Sequence, residues 1–259
     1  QVRNQLREAV DRVSRYVEDL EAIRDRADIV AEQLADRRAE AMNRQSFVLT
    51  VVAAIFLPLG LITADAAVDV GDLRLGSQVL DLLRKDEPTP AEDTQIAYEE
   101  GRLLELAGDF DGAVVKWEAV EASPHRPSRA KAVVARTEML LKLDRIVPAD
   151  AIEEYERLRY AWRGDDFEFN LLRRLGQLYL AEQDYRNGLR TLRQLVSHFR
   201  EHKDAQFVTQ EMADAFSTLY LGGAADVLPP VTAIALYDEF RELTPPGEKG
   251  EEMVRKLAD

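Results

Sequence analysis

Cysteine is absent from this 259-residue chain, and histidine occurs three times. Without cysteine there are no disulfides, no thiolate metal sites and no thiol nucleophile, although the compartment stays open. Only 13 glycines and 10 prolines are spread along it, too few for a linker-rich or low-complexity chain. Positive charge is also short. Lys and Arg number 34 against 48 Asp and Glu, a net charge of -14. That balance argues against a nucleic-acid partner, because phosphate binding needs clustered Lys and Arg. The imbalance is uneven. Residues 1–64 hold 9 basic and 10 acidic side chains; subtracting these from the totals leaves 25 and 38, a net of -13, for residues 65–259. The chain opens on Gln1 rather than Met, which reads as a fragment or a processed product.

Two segments follow from the hydrophobic pattern. In residues 1–44, Leu6, Val13, Leu20, Ala27, Leu34 and Ala41 recur at seven-residue spacing, with neither Gly nor Pro between them. This is the pattern of a stalk or coiled-coil helix able to pair with copies of itself. Gln45 to Ala64 then contains no charged residue. About 18 apolar residues suffice to cross a bilayer, so a single transmembrane helix is expected at 46–64. A buried core helix is the alternative for this run. Arg37, Arg38 and Arg44 precede it, so by the positive-inside bias the N-terminus lies in the cytoplasm. Residues 65–259 are then expected on the far side.

The stretch from Tyr16 to Ala64, above all its MNR…VVAAIFLPLG portion, resembles the stalk and first transmembrane helix of CorA-like divalent-metal transporters, especially their zinc-transporting branch. The resemblance implies a Mg or Zn transporter subunit whose helices line a pore. However, Asp65-Ala66-Ala67-Val68-Asp69 stands where that family's Gly-Met-Asn-type signature follows the membrane helix. A second hydrophobic span is lacking too.

Residues 65–259 read as an all-α helical-repeat domain. Amphipathic helices are expected at about 72–85, 91–107, 110–122, 127–143, 149–162, 167–182, 185–198, 204–220, 230–242 and 248–258, with prolines at or before several starts. Gly101, Ala113 and Trp117 have offsets of 12 and 16 that Gly176, Gly188 and Leu192 repeat. A weaker unit between them carries Ala135, Ala151, Tyr155 and Leu158. Small residues let two helices approach, and large ones fill the space between pairs. These positions resemble the tetratricopeptide repeat. Two stretches, AWRGDDFEFNLLRRLGQLYLAEQDYRNGLRTLRQ and LPPVTAIALYDEFRELTPPGEKG, are similar to segments of large alphaproteobacterial tetratricopeptide-repeat proteins, a likeness spanning about residues 90–259. It implies an α-solenoid that goes on past Asp259 and works by binding other proteins. Together the two family resemblances imply that the membrane is a bacterial inner membrane and that the far side is the periplasm.

No phosphate-binding, nucleophile-elbow or zinc-protease motif occurs, so neither enzyme nor cofactor is expected. His198 and His202 could share a helix face as metal ligands, but read better as a solvated turn. Asp165 and Asp166 read as helix caps rather than an acid–base pair. Trp162, Phe167 and Phe169 read as core at a repeat junction. Taking Gly101, Ala135 and Gly176 as equivalent, the groove-facing positions are Gln95, Tyr98 and Arg102; Arg129, Ala132 and Arg136; and Asn170, Arg173 and Gln177. Arginine forks bind carboxylates and amides hold a peptide backbone. The expected function is thus a membrane-tethered, tetratricopeptide-like scaffold whose groove takes a protein or acidic peptide. The alternatives are a partial CorA-like divalent-metal transporter subunit, or a joint between two unrelated genes near residue 65. For the nine groove positions, the plainer reading is a solvated helix face.

Overall fold

A computed structural model describes residues 59–258, and clustering of contacts separates a compact unit, Ala64–Asp259, from Gln1–Thr63. The expected stalk and most of the expected membrane span lie outside the described residues. No helix among the described residues is long and apolar enough to cross a membrane.

The unit Ala64–Asp259 is all-α among its described residues. Residues 64–69 are helical, and ten helices follow: α1 Leu73–Lys85, α2 Pro90–Leu106, α3 Phe110–Glu121, α4 Arg126–Lys142, α5 Pro148–Ala161, α6 Asp166–Ala181, α7 Tyr185–His198, α8 Ala205–Leu221, α9 Pro230–Glu239 and α10 Glu248–Ala258. Their starts are written in local chemistry. Asp72, Asp109, Asp165 and Asp184 each accept a backbone N–H from the first turn of the helix they precede. Thr89 and Glu92 form a reciprocal capping box ahead of α2. Pro90, Pro127, Pro148 and Pro230 occupy first-turn positions, where a missing N–H costs nothing.

The helices pair in sequence, α2 with α3 and α6 with α7 most extensively, as the tetratricopeptide pattern implies. After each first helix the chain turns the same way. Gly108, Asp144 and Gln183 take positive φ, and the next residue's N–H returns to a carbonyl five residues back, at Leu104, Leu140 and Tyr179. Only the first of these turns has the glycine such a φ favours. Close approach within the pairs comes from the small residues. A Cβ built on Gly101 would sit 2.4 Å from Nε1 of the fully buried Trp117, and one on Gly176 would sit 2.6 Å from the Leu192 side chain.

Two hydrophobic clusters share α4. One joins Ala113, Val114, Trp117 and Val120 to Ala132 and Met139. The other runs from Ala130 through Tyr155, Phe169, Leu175 and Leu192 to Phe216, Phe240 and Met253. Helix boundaries fall close to the expected ones, with one exception. The helix expected at 230–242 breaks at Phe240, whose φ of -124° turns a fully buried ring into the core, and Arg241–Leu243 continues as a 3-10 turn. A second 3-10 turn, Ala224–Val227, follows the left-handed Gly223.

Candidate interaction face

The first helices α2, α4 and α6 position the nine residues expected to line a groove. On α2, Gln95, Tyr98 and Arg102 are all half-buried. The Arg102 guanidinium is the centre of an ion cluster: Nη1 donates to Glu99 at 3.0 Å and to Asp65, and Nη2 donates to Asp69. Burial pushes the Glu99 carboxyl up to about 7, with Arg102 pulling it back. The Tyr98 hydroxyl is pushed up to about 12, mainly by burial, and the Lys131 ammonium lies 5.8 Å from its ring.

On α4, Arg129 is exposed and Arg136 donates from Nε to Glu121 of α3. Ala132 departs from expectation. It is fully buried in the α3–α4 core, so it lines no groove. The reason is that α4 packs on both clusters at once, which leaves it a narrower exposed stripe than a helix covered on one side.

On α6, Asn170 is exposed, and Arg173 and Gln177 converge on Glu211 of α8. Arg173 donates from Nε at 3.1 Å and from Nη2, and Gln177 from Nε2 at 3.4 Å. The helices are also stapled beside the expected residues. Glu138 of α4 accepts both prongs of Arg174 of α6, at 2.8 and 2.9 Å, and the hydroxyl of Tyr155 of α5 at 2.6 Å. Burial, and then the hydrogen bond to Glu138, hold the Tyr155 phenol far above its usual range.

The repeat register marks the arginines, but nothing local marks their partners Asp65, Asp69, Glu99, Glu121 and Glu211. One of them was accessible in principle. Glu211 lies 34 residues beyond Gln177, one tetratricopeptide period on. The other expected sites resolve plainly. Asp165 caps α6 and accepts from Trp162 Nε1 at 2.9 Å. Phe169 is core, and Trp162 meets Phe167 edge-on at 5.4 Å. His198 ends α7 exposed. His202 departs from the solvated turn expected for it. It lies beyond the helix, only 13% exposed, stacked on Phe169 with centroids 3.6 Å apart, and its Nδ1 accepts the Asp204 N–H at 3.2 Å. No group of three or more potential metal ligands occurs among the described residues.

Comparison with known proteins gives a different answer for each segment. The family described as CorA-like Mg2+ transporter protein matches residues 1–64. A zinc transport protein, ZntB, of Pectobacterium carotovorum is 31% identical over 71 residues, covering 27% of this chain and 22% of that protein. A divalent cation transporter, CmaX, of Pseudomonas aeruginosa is 33% identical over 63 residues, covering 24% of this chain and 19% of that protein. The chain thus spans about a fifth of the length of these curated relatives. Among solved structures, a kinesin light chain with nearly identical TPR-like repeats from Podosopora anserina aligns at TM-score 0.48 and 17% identity, over 73% of this chain and 94% of that one. A tetratricopeptide repeat protein from Parabacteroides merdae aligns at 0.44 and 15%, over 78% and 85%.

Proposed function

We propose that this chain is a non-catalytic scaffold whose helical-repeat unit captures an acidic peptide or C-terminal carboxylate along the face of α2, α4 and α6. The observation that carries this reading is the state of Arg102. Its partners Asp65 and Asp69 are surface carboxylates, 51% and 62% exposed, so water can solvate each when it gives up the guanidinium. An incoming carboxylate can exchange with them at small cost. Arg129 of α4 is exposed, and Gln95 and Asn170 supply amides for a peptide backbone.

The test is a fluorescence titration of the full chain with a labelled acidic peptide. Affinity should fall about tenfold or more in Arg102→Ala/Arg136→Ala/Arg173→Ala, the loss of several charge-assisted bonds. Binding should also strengthen from pH 8 to pH 6. As the pH falls through about 7, Glu99 takes up a proton and its negative charge no longer competes for Arg102. Equal affinity for the triple variant would remove this face from consideration, and a flat profile across that pH range would show that Glu99 does not compete for Arg102.

Residues 46–64 supply the second half of the proposal, a tether that inserts in a bacterial inner membrane with Gln1 on the cytoplasmic side and the repeat unit on the periplasmic side. The uncharged run and its preceding arginines support it, as does the match of residues 1–64 to a transporter family. The heptad pattern of residues 1–44 further suggests association through the stalk. Carbonate extraction of vesicles should leave the full chain in the pellet; its complete release would refute insertion. The family match also favours a second reading, a partial Mg or Zn transporter subunit. Metal uptake by vesicles that carry this chain alone would select it over the scaffold.

A further inference from the structure

Helix α7 carries Arg186, Arg190 and Arg193, at steps of four and three residues that return to one side of a helix. All three converge on Glu239 at the end of α9. Arg186 Nε donates to its Oε2 at 2.9 Å, Arg190 Nε donates to Oε1, and Arg193 Nη2 lies 3.5 Å from Oε1. Arg193 is further engaged. Its Nη1 donates to the Glu239 carbonyl at 3.0 Å and to Glu242 at 3.3 Å, and its guanidinium lies 4.5 Å from the Phe240 ring centre. That side chain fastens the segment around Phe240 to α7.

Arg186 and Arg190 differ from it. Each uses only Nε, and among the described residues their terminal NH2 groups donate to no acceptor. Both side chains are 51% exposed, whereas the Glu239 side chain is 17% exposed. On the first-helix face several carboxylates surround one arginine. Here the ratio is inverted, and three guanidinium groups face Glu239 and Glu242, an excess of positive charge within a chain of net -14.

We propose that the outward guanidinium ends of Arg186 and Arg190 are a docking point for an acidic polypeptide segment, on the second helix of its pair and distinct from the face of α2, α4 and α6. Four residues of helix separate the two by about 6 Å, a spacing that two carboxylates of one segment can match. Glu239 holds both Nε groups, so the forks are oriented before a partner arrives and less side-chain entropy is lost on binding. The Arg190 hydrogen bond keeps the Glu239 carboxyl below its usual range, so this anchor stays ionised at neutral pH. A short acidic segment fits this patch better than a nucleic acid. A long polyanion would run off two arginines onto the rest of a net-negative chain, where like charge repels it.

The experiment is fluorescence anisotropy of a fluorescein-labelled hexaglutamate peptide with the full chain in detergent at low salt. It is run on the parent and on the Arg102→Ala/Arg136→Ala/Arg173→Ala background, with helix content checked by circular dichroism. On the triple-variant background, where the first face is lost, Arg186→Gln/Arg190→Gln should weaken binding by about tenfold or more; in the parent it should remove one of two bound peptides per chain. Arg145→Gln/Arg157→Gln removes the same charge at other exposed sites and should change binding little. Arg190→Gln alone provides the reading if the double variant does not fold. Three results would overturn the proposal: unchanged affinity on loss of Arg186 and Arg190 in the triple-variant background, an equal loss in the charge-matched control, or tighter binding of a single-stranded oligonucleotide or anionic vesicles at the same arginines.

Discussion

Replacing Trp117 with alanine should cost about 3–5 kcal/mol of stability, the usual range for removing a large buried aromatic. Trp117 is fully buried and makes its one polar contact through Nε1, which donates to the Tyr98 carbonyl at 3.3 Å. Its surroundings cannot close the hole. Gly101 lies directly beneath it with no side chain to offer, and its core neighbours Ala113 and Ala132 are small. The other buried members of the cluster, Val114, Val120 and Met139, sit on two different helices. Collapse onto the void would draw α4 toward α3 and strain its packing on the second cluster. Urea unfolding followed by helix circular dichroism would measure the loss. A cost under about 1 kcal/mol would show that the Gly101–Trp117 contact is not what holds α2 against α3.

The second large effect is expected at Gly176, where backbone meets backbone. A Cβ there would lie 2.6 Å from both Cγ and Cδ2 of the fully buried Leu192, and 3.4 Å from the Gly188 carbonyl oxygen. In return, a Cβ on Gly188 would lie 3.1 Å from the Gly176 oxygen. Neither helix can yield without parting α6 from α7, the most extensively packed pair in the unit. Gly176→Val should therefore destabilise by about 2–3 kcal/mol through overpacking. The sign makes this informative. Intrinsic helix propensity alone would favour the valine by a few tenths of a kcal/mol, so a neutral or stabilised protein would mean that the helices are not held at glycine distance.

How legible was all this in the residues? The helices of 65–259 were largely so. Asp and Thr caps, first-turn prolines and apolar periodicity act within four or five residues, and the boundaries they imply match those found. The break at Phe240 was not legible, because the local pattern continues through it and burial of the ring in a distant core decides otherwise. On the candidate face, residue types and register placed Arg102, Arg136 and Arg173 on the first helices, while their chemical state was out of reach.

The all-α class of this segment, the order and limits of its helices, and the glycine positions where pairs close up are written in the residues. Those features are encoded by neighbours in the chain, or by a period that repeats small and large residues at offsets of 12 and 16. Which carboxylate each arginine meets, that Ala132 belongs to the core, and that Arg186 and Arg190 keep donors to spare follow from how the helices pack. Ion pairs such as Arg173 with Glu211 join residues 38 apart, and Arg186 with Glu239 residues 53 apart. An Asp or Glu in the sequence carries no mark of its partner. The pairing arises only when packed helices bring one charge within reach of another.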